Sequence, residues 1–293
     1  MPSLYMLPFD HRGSFQKMIL GHKNPLSNAE REILIHYKNI IFDGFKQVAE
    51  KRGVDDLGIL VDEEFGEEIH REAHRMGVRN AMSVERSGQP EFEFEYDDWR
   101  DHLRNIQPYY AKALVRVTMG EDHSTQNQRL AELARFCADE EYQFLLEPLI
   151  FPSDADLAQC GGDKKRFDLE LRPQRFAEAV EEFHNAGVHP DVWKIEGTDT
   201  AAAMEICAQA VMTGGKPDPE IIILGRGESA EKVEDWLRAS AKVSGVTGFA
   251  VGRTIFAESL QKLYAEEISE AEAIAEIAQW YEHFIDVFES ARG

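Results

Sequence analysis

One lysine set in an apolar run offers the sharpest chemistry in this 293-residue sequence. Asp191-Val192-Trp193-Lys194-Ile195-Glu196-Gly197 reads as a short buried strand: Val192, Trp193 and Ile195 supply apolar bulk, and Gly197 opens a turn. A solvated lysine titrates near ~10.4, so roughly one molecule in 2,500 carries a free amine at pH 7. Burial among apolar groups, or a second cation alongside, can lower that value by ~3 units and leave a neutral amine able to attack carbonyls. The plainer alternative is an outward-facing Lys194 paired with Glu196.

Other charged residues recur at the ends of apolar runs. Asp10 and Arg12 follow the first run, and Asp62 and Glu63 the second. Lys112 and Arg116 lie in the fourth, Glu147 ends the fifth, and Glu196 ends the run that carries Lys194. Gly225-Arg226 and Gly252-Arg253 follow the last two, each at the start of a helical stretch. Glycine lets backbone N–H groups close on an anion, a helix N-terminus adds positive potential, and arginine can bind phosphate in a bidentate fashion.

The elements that must position these residues alternate. Strand candidates are Leu4–Phe9, Leu57–Val61, Val78–Val84, Ala111–Val117, Phe144–Glu147, the Lys194 run, Ile221–Leu224 and Gly248–Val251. Between them the spacing predicts helices over Ala29–Lys51 (capped by Ser27-Asn28 and stopped by Gly53), a stretch ending at Gly77, a short one after the acidic, aromatic segment Glu91–Trp99, Thr125–Glu141, Pro173–Ala186, Thr200–Met212 and Ser229–Val243. A final amphipathic helix closes the chain. Eight strands separated by helices, near the ~250 residues usual for the fold, predict a single (β/α)8 TIM barrel over residues 1–293. A doubly wound open sheet competes, but no GxGxxG follows the first strand.

In such a barrel the active site lies at the C-terminal ends of the strands, with phosphate held by the loops after strands seven and eight. The charged residues then converge on one mouth and suggest a class I aldolase, which needs neither metal nor cofactor. Lys194 attacks a ketone to form an iminium, and Lys112 nearby keeps it unprotonated by like-charge repulsion. Glu147 moves protons at the carbinolamine or takes one from the leaving alcohol, while Asp10 and Asp62 hold substrate hydroxyls or orient Lys112. Gly225, Arg226, Gly252 and Arg253 receive the phosphate; the plainer alternative is that the two arginines, Arg226 above all, pair with nearby acids.

Composition narrows the partners. A net charge of −22 repels nucleic acid and anionic membrane, so an anionic ligand must meet a local cationic site. No run approaches the ~18 to 20 apolar residues that span a bilayer, and no secretory leader is evident. Cys137, Cys160 and Cys207 are odd in number and lack CxxC spacing, which suits a reduced, cytoplasmic protein. The acidic run Glu258–Glu289 reads as a helix with a solvated face, on which Trp280, Tyr281, Phe284 and Phe288 could pack or form a homo-oligomer contact.

The motifs Phe9-Asp10-His11-Arg12-Gly13-Ser14-Phe15, Val61-Asp62-Glu63-Glu64-Phe65-Gly66, Trp193-Lys194-Ile195-Glu196 and Gly248-Phe249-Ala250-Val251-Gly252-Arg253-Thr254-Ile255-Phe256 resemble the class I aldolase superfamily of tagatose-1,6-bisphosphate and sulfofructose-phosphate aldolases. They are most similar to the barrel domain often fused to 5-dehydro-2-deoxygluconokinase in myo-inositol catabolism; no kinase-like half accompanies it here. The resemblance spans nearly the whole chain and implies a barrel, a Schiff-base lysine at Lys194, an assisting lysine at Lys112 and an acid/base glutamate at Glu147. Arg226 stands where the tagatose enzymes have a turn of small residues, and Arg116 has no clear counterpart, so both hint at an extra anionic group on the substrate.

Three rival readings remain. His70 and His74 sit i, i+4, but Arg71 occupies the place an HExxH glutamate needs, so a surface pair is the better reading. Asp10 with Asp62-Glu63-Glu64 could instead hold magnesium for a metal-dependent lyase. The non-enzyme alternative is a barrel that binds a sugar phosphate without cleaving it.

Overall fold

Alternation along each apolar run decides which side chains enter the barrel and which face the helices. In the computed structural model, which describes residues 3–293, the runs form β1 (Leu4–Pro8), β2 (Leu57–Val61), β3 (Arg79–Ser83), β4 (Tyr110–Thr118), β5 (Gln143–Phe151), β6 (Val192–Glu196), β7 (Glu220–Leu224) and β8 (Val246–Ala250). Each strand pairs in parallel with the next, and β8 returns to β1, closing a (β/α)8 TIM barrel. Leu4, Met6, Leu60, Ala81, Tyr110, Leu145, Val192, Ile222 and Ala250 fill its interior. The intervening residues pack outward, as where Trp193 meets Phe176 and Phe183.

The helices are α1 (Gly13–Leu20), α2 (Asn28–Arg52), α3 (Glu63–Met76), α4 (Trp99–Ile106), α5 (Ser124–Asp139), α6 (Asp154–Gln159), α7 (Lys164–Glu170), α8 (Arg172–Asn185), α9 (Ala201–Met212), α10 (Ala230–Ser240), α11 (Arg253–Tyr264) and α12 (Glu270–Arg292). Ser27 and Glu30 form a capping box at the start of α2, and Gly53 ends it. None of the described helices is long and apolar enough to cross a membrane.

The β1–β8 seam depends on two glycines. A Cβ on Gly248 would lie 1.9 Å from the Leu4 carbonyl oxygen, and one on Gly252 would lie 2.2 Å from that of Pro8. Backbone stands in both places, so no neighbouring side chain can yield.

Several elements differ from the sequence expectation. β5 continues past Pro148 to Phe151, a residue that normally argues against a central strand. The segment after β1 and the loop before α8 hold three short helices, α1, α6 and α7. The closing helix is two, α11 and α12, with a capping box at Ser269 and Glu272 starting the second. Tyr281, Phe284 and Phe288 are not available to a second subunit, because all three are buried in the core. The Tyr281 hydroxyl donates to the Tyr5 carbonyl at 2.6 Å, and Phe288 packs against Tyr5 and Phe249.

Candidate active site

Inward parity carries charge to the C-terminal mouth once the apolar layer is passed. Leu145 is followed by Glu147, Val192 by Lys194 and Glu196, Tyr110 by Lys112, Leu114 and Arg116, and Ala81 by Ser83 and Glu85. Lys194 thus rises from the barrel floor, its side chain 6% exposed, with Nζ 2.9 Å from Glu147 Oε1. The other Glu147 oxygen meets Lys112 Nζ at 3.1 Å. Lys112 Nζ also lies 2.8 Å from both Asp10 and Glu85. Three carboxylates and two lysines therefore share one buried cluster.

The cluster sets the proton affinities. Burial alone would lower the Lys112 pKa, but Asp10, Glu85 and Glu147 together hold it well above its ordinary value. Lys112 is a fixed cation whose charge is absorbed by three partners, so the simple picture of two lysines repelling one another is corrected. Burial pushes the Glu147 and Asp10 carboxyls up, and Lys194 and Lys112 more than reverse that, leaving both below the usual range. Glu85 shows the opposite balance: burial keeps its pKa raised in spite of Lys112 and Arg12.

The mouth divides into two lobes of about 310 and 300 Å³, whose common wall includes Lys194, Glu147, Leu114 and His11. The first is closed by the turns after β7 and β8, including Gly225, Arg226, Gly252 and Arg253. Arg226 adopts a left-handed φ of 52°. Its guanidinium is already held by Glu196 at 3.1 Å and Asp168 at 3.0 Å, which corrects the expectation of a free phosphate ligand. Glu196 accepts further from the Ile150 N–H at 3.1 Å and lies 3.8 Å from Arg172. Among the described residues Arg253, at the N-terminus of α11, reaches only the Arg226 carbonyl, at 3.0 Å, and keeps its charge for a ligand.

The second lobe is lined by Asp10, Arg12, Lys23, Glu85, Lys112 and Arg116, among others. Arg12 binds Glu95 and the Glu85 carbonyl, which fixes the loop after β3 to the loop after β1. Arg116 donates to the Gln89 carbonyl.

Asp62 and Glu63 do not reach the mouth. Asp62 is 1% exposed, accepts from the Phe65 N–H as the N-cap of α3, and pairs with the fully buried Lys38. Lys38 also donates to the Phe9 carbonyl at 2.8 Å. Glu63 holds His102 at 2.7 Å, and Glu64 holds Arg31 at 2.7 Å. The magnesium reading thereby loses three of its four ligands to other partners, and no metal-binding group of three or more His, Cys, Asp or Glu occurs among the described residues. His70 is not a surface residue: it is buried, 3.0 Å from Asn80, with a pKa that burial lowers to about 3, while His74 is exposed.

Sequence reasoning missed His11, Glu85, Asp168 and Arg172. His11 lines both lobes. Burial lowers its pKa to about 4 against the pull of Asp10, so the imidazole is neutral at pH 7. Its place in the Asp-His-Arg motif was the available signal. Glu85 was signalled by its position two residues beyond Ser83, on the inward side.

Over residues 1–292 the chain matches the family described as "Uncharacterized protein conserved in bacteria (DUF2090)". No curated protein sequence is matched. Among solved structures, the Cgl0159 protein of Corynebacterium glutamicum (Brevibacterium flavum) is 17% identical, with 96% of this chain and 86% of that one covered and a TM-score of 0.58. A Schiff-base-forming fructose-1,6-bisphosphate aldolase is 13% identical, with coverage of 98% and 94% and a TM-score of 0.60. At such identities the likeness is one of fold alone, a (β/α)8 barrel.

Proposed function

The chain belongs to the DUF2090 family, and we propose that it is a class I aldolase, a carbon–carbon lyase that cleaves a phosphorylated keto-sugar or keto-sugar acid through a Schiff base on Lys194. One observation carries the reading: Glu147 grips Lys194 and Lys112 with its two oxygens at the floor of the mouth. The fold shared with a Schiff-base aldolase is consistent with it.

In this reading the Lys194 ammonium gives a proton to Glu147, 2.9 Å away, and the free amine adds to the ketone carbon. Glu147 returns the proton to the carbinolamine hydroxyl. The ketone oxygen leaves as water with two of the three ammonium protons, and the iminium keeps the third. The iminium then draws the electrons of the adjacent C–C bond to form an enamine. Lys112 stays protonated and anchors Asp10, Glu85 and Glu147 around the reacting carbons. Arg253 and the backbone at the start of α11 take the phosphate in the first lobe. The aldehyde-forming fragment occupies the second lobe, beside Arg116.

Among substrates with a phosphate at one end and a second anion for Arg116, the resemblance to the barrel domain fused to 5-dehydro-2-deoxygluconokinase favours 5-dehydro-2-deoxy-D-gluconate 6-phosphate. It would yield dihydroxyacetone phosphate and malonate semialdehyde. A ketohexose bisphosphate such as tagatose bisphosphate, and a sulfonated sugar phosphate, share that charge pattern, and release of triose phosphate from each separates the three. The decisive experiment is borohydride reduction with dihydroxyacetone phosphate, followed by mass spectrometry of the Lys194 peptide. A covalent mass increase that survives EDTA and disappears in Lys194→Ala is expected. An unmodified peptide at saturating ligand would sink the proposal and leave a barrel that only binds sugar phosphates.

A further inference from the structure

We propose that Glu85 is a further catalytic residue, the base that takes the hydroxyl proton of the carbon that becomes the aldehyde. The assignment rests on the aldolase reading and gives the leaving-alcohol proton to Glu85 in place of Glu147, which is left to the carbinolamine.

Three features of its placement support it. Glu85 is 6% exposed and lines the second lobe, on the side of the mouth away from the phosphate turns. Among the described residues only one of its oxygens finds a partner: Oε1 accepts from Lys112 at 2.8 Å, whereas Oε2 is buried without a hydrogen bond. A carboxylate oxygen left unpaired in a buried site is costly, and a substrate hydroxyl would satisfy it. The backbone is also pinned. Arg12 holds the Glu85 carbonyl, the Val84 N–H donates to the Lys112 carbonyl at 2.9 Å, and Glu85 bridges to Phe94. The free oxygen is therefore fixed in place before a ligand arrives.

Proton affinity separates Glu85 from its neighbours. Asp10 and Glu147 are held below the usual carboxylate range by Lys112 and Lys194, which makes them weak bases. Burial, with Asp10 adding to it, holds Glu85 above that range although Lys112 and Arg12 oppose, and a base works best when its pKa approaches the operating pH. In the cleavage step the O–H bond breaks and the proton moves to Glu85 Oε2. The O–H electron pair forms the aldehyde C=O, the C–C bond breaks, and its pair moves onto the iminium to give the enamine. In condensation the same proton returns from Glu85 to the aldehyde oxygen.

The test separates this step from Schiff-base formation. Glu85→Gln should be trapped by borohydride with dihydroxyacetone phosphate to within twofold of wild type. Its condensation of dihydroxyacetone phosphate with malonate semialdehyde or glyceraldehyde 3-phosphate should fall by about 10² to 10⁴, with KM changed less than about threefold. Glu85→Asp, whose carboxylate is retracted by one methylene, should keep trapping and lose about tenfold or more in condensation; it serves if the Gln variant does not fold. Condensation within threefold of wild type in either variant, or parallel loss of trapping and condensation, would overturn the assignment. Failure of the wild type itself to be trapped would instead bring down the aldolase reading.

Discussion

Replacing Lys112 with Met tests whether the buried cluster is held by charge. The wild-type cluster sets three carboxylates against two ammonium groups, and the variant leaves three against one. Removing one partner from a buried ion pair costs about 3–5 kcal/mol. That is a large share of the ~5–15 kcal/mol that stabilises a typical protein. The dependence on pH is more diagnostic than the size. In the wild type, burial raises the Asp10 and Glu147 carboxyls, but Lys112 and Lys194 bring them below their unfolded values. They therefore add stability above the unfolded carboxylate range, and this is lost as pH falls through their folded values. Without Lys112, burial loses its chief opponent at Asp10 and Glu85 and one of two at Glu147, so the folded values rise and the stability these carboxylates add at high pH is lost. The variant should be weakest at high pH and recover as the carboxylates take up protons. Urea unfolding at pH 7.5 and 5.5, followed by tryptophan fluorescence and circular dichroism, should show a deficit of about 3 kcal/mol or more at pH 7.5, shrinking by at least ~1 kcal/mol at pH 5.5, the worth of about one pKa unit. A deficit below ~1 kcal/mol at pH 7.5, or one equal at both pH values, would refute the argument.

Two further outcomes follow, one from pairing at the mouth and one from the imidazole buried between α3 and β3. Arg253→Ala should raise the dihydroxyacetone phosphate concentration needed for half-maximal borohydride trapping by about 10- to 100-fold, because a charge-assisted bond is worth ~1.5–3 kcal/mol; Arg226→Ala, whose guanidinium already serves Glu196 and Asp168, should raise it less than about threefold, and the reverse order would contradict the pairing seen here. His70, whose folded pKa of about 3 lies below the ordinary 6.5, adds stability above pH 6.5 that is lost as pH falls. By pH 4.5 that loss is roughly 2–3 kcal/mol, at 1.36 kcal/mol per unit, so His70→Gln should flatten the pH dependence of urea unfolding between pH 7 and 4.5, and an unchanged slope would exclude the cause.

The barrel and the lysine at its floor were legible because strands buried on both faces read as unbroken apolar runs, in which one lysine stands out. The end of β5 was not, since Pro148 is a residue that usually ends a strand. Asp62 and Glu63 misled for a physical reason: a carboxylate between a strand and a helix serves equally as a structural partner or a substrate ligand, and only Lys38 for Asp62 and His102 for Glu63, both distant in sequence, decide between the roles. Arg226 misled in the same way, because Asp168 comes from the short helix α7, which apolar spacing did not disclose. Glu85 lies past a weak strand whose inward phase shows only once Ala81 and Ser83 are seen facing the axis.

The hydroxyl of Tyr281 on the Tyr5 carbonyl joins residues 276 positions apart, and α12 packs along α2 while Phe284 and Phe288 flank Phe249 of β8. During synthesis, then, the first strand emerges long before the helix that covers it. Until translation has passed residue 288, Tyr5 and the face of α2 that meets α12 lack that cover, although Phe249 and α3 are already there to pack against, and the nascent chain carries that greasy seam exposed. Folding of this protein on the ribosome is therefore committed late, and ribosomes stalled before α12 should display chains that chaperones hold and proteases cut.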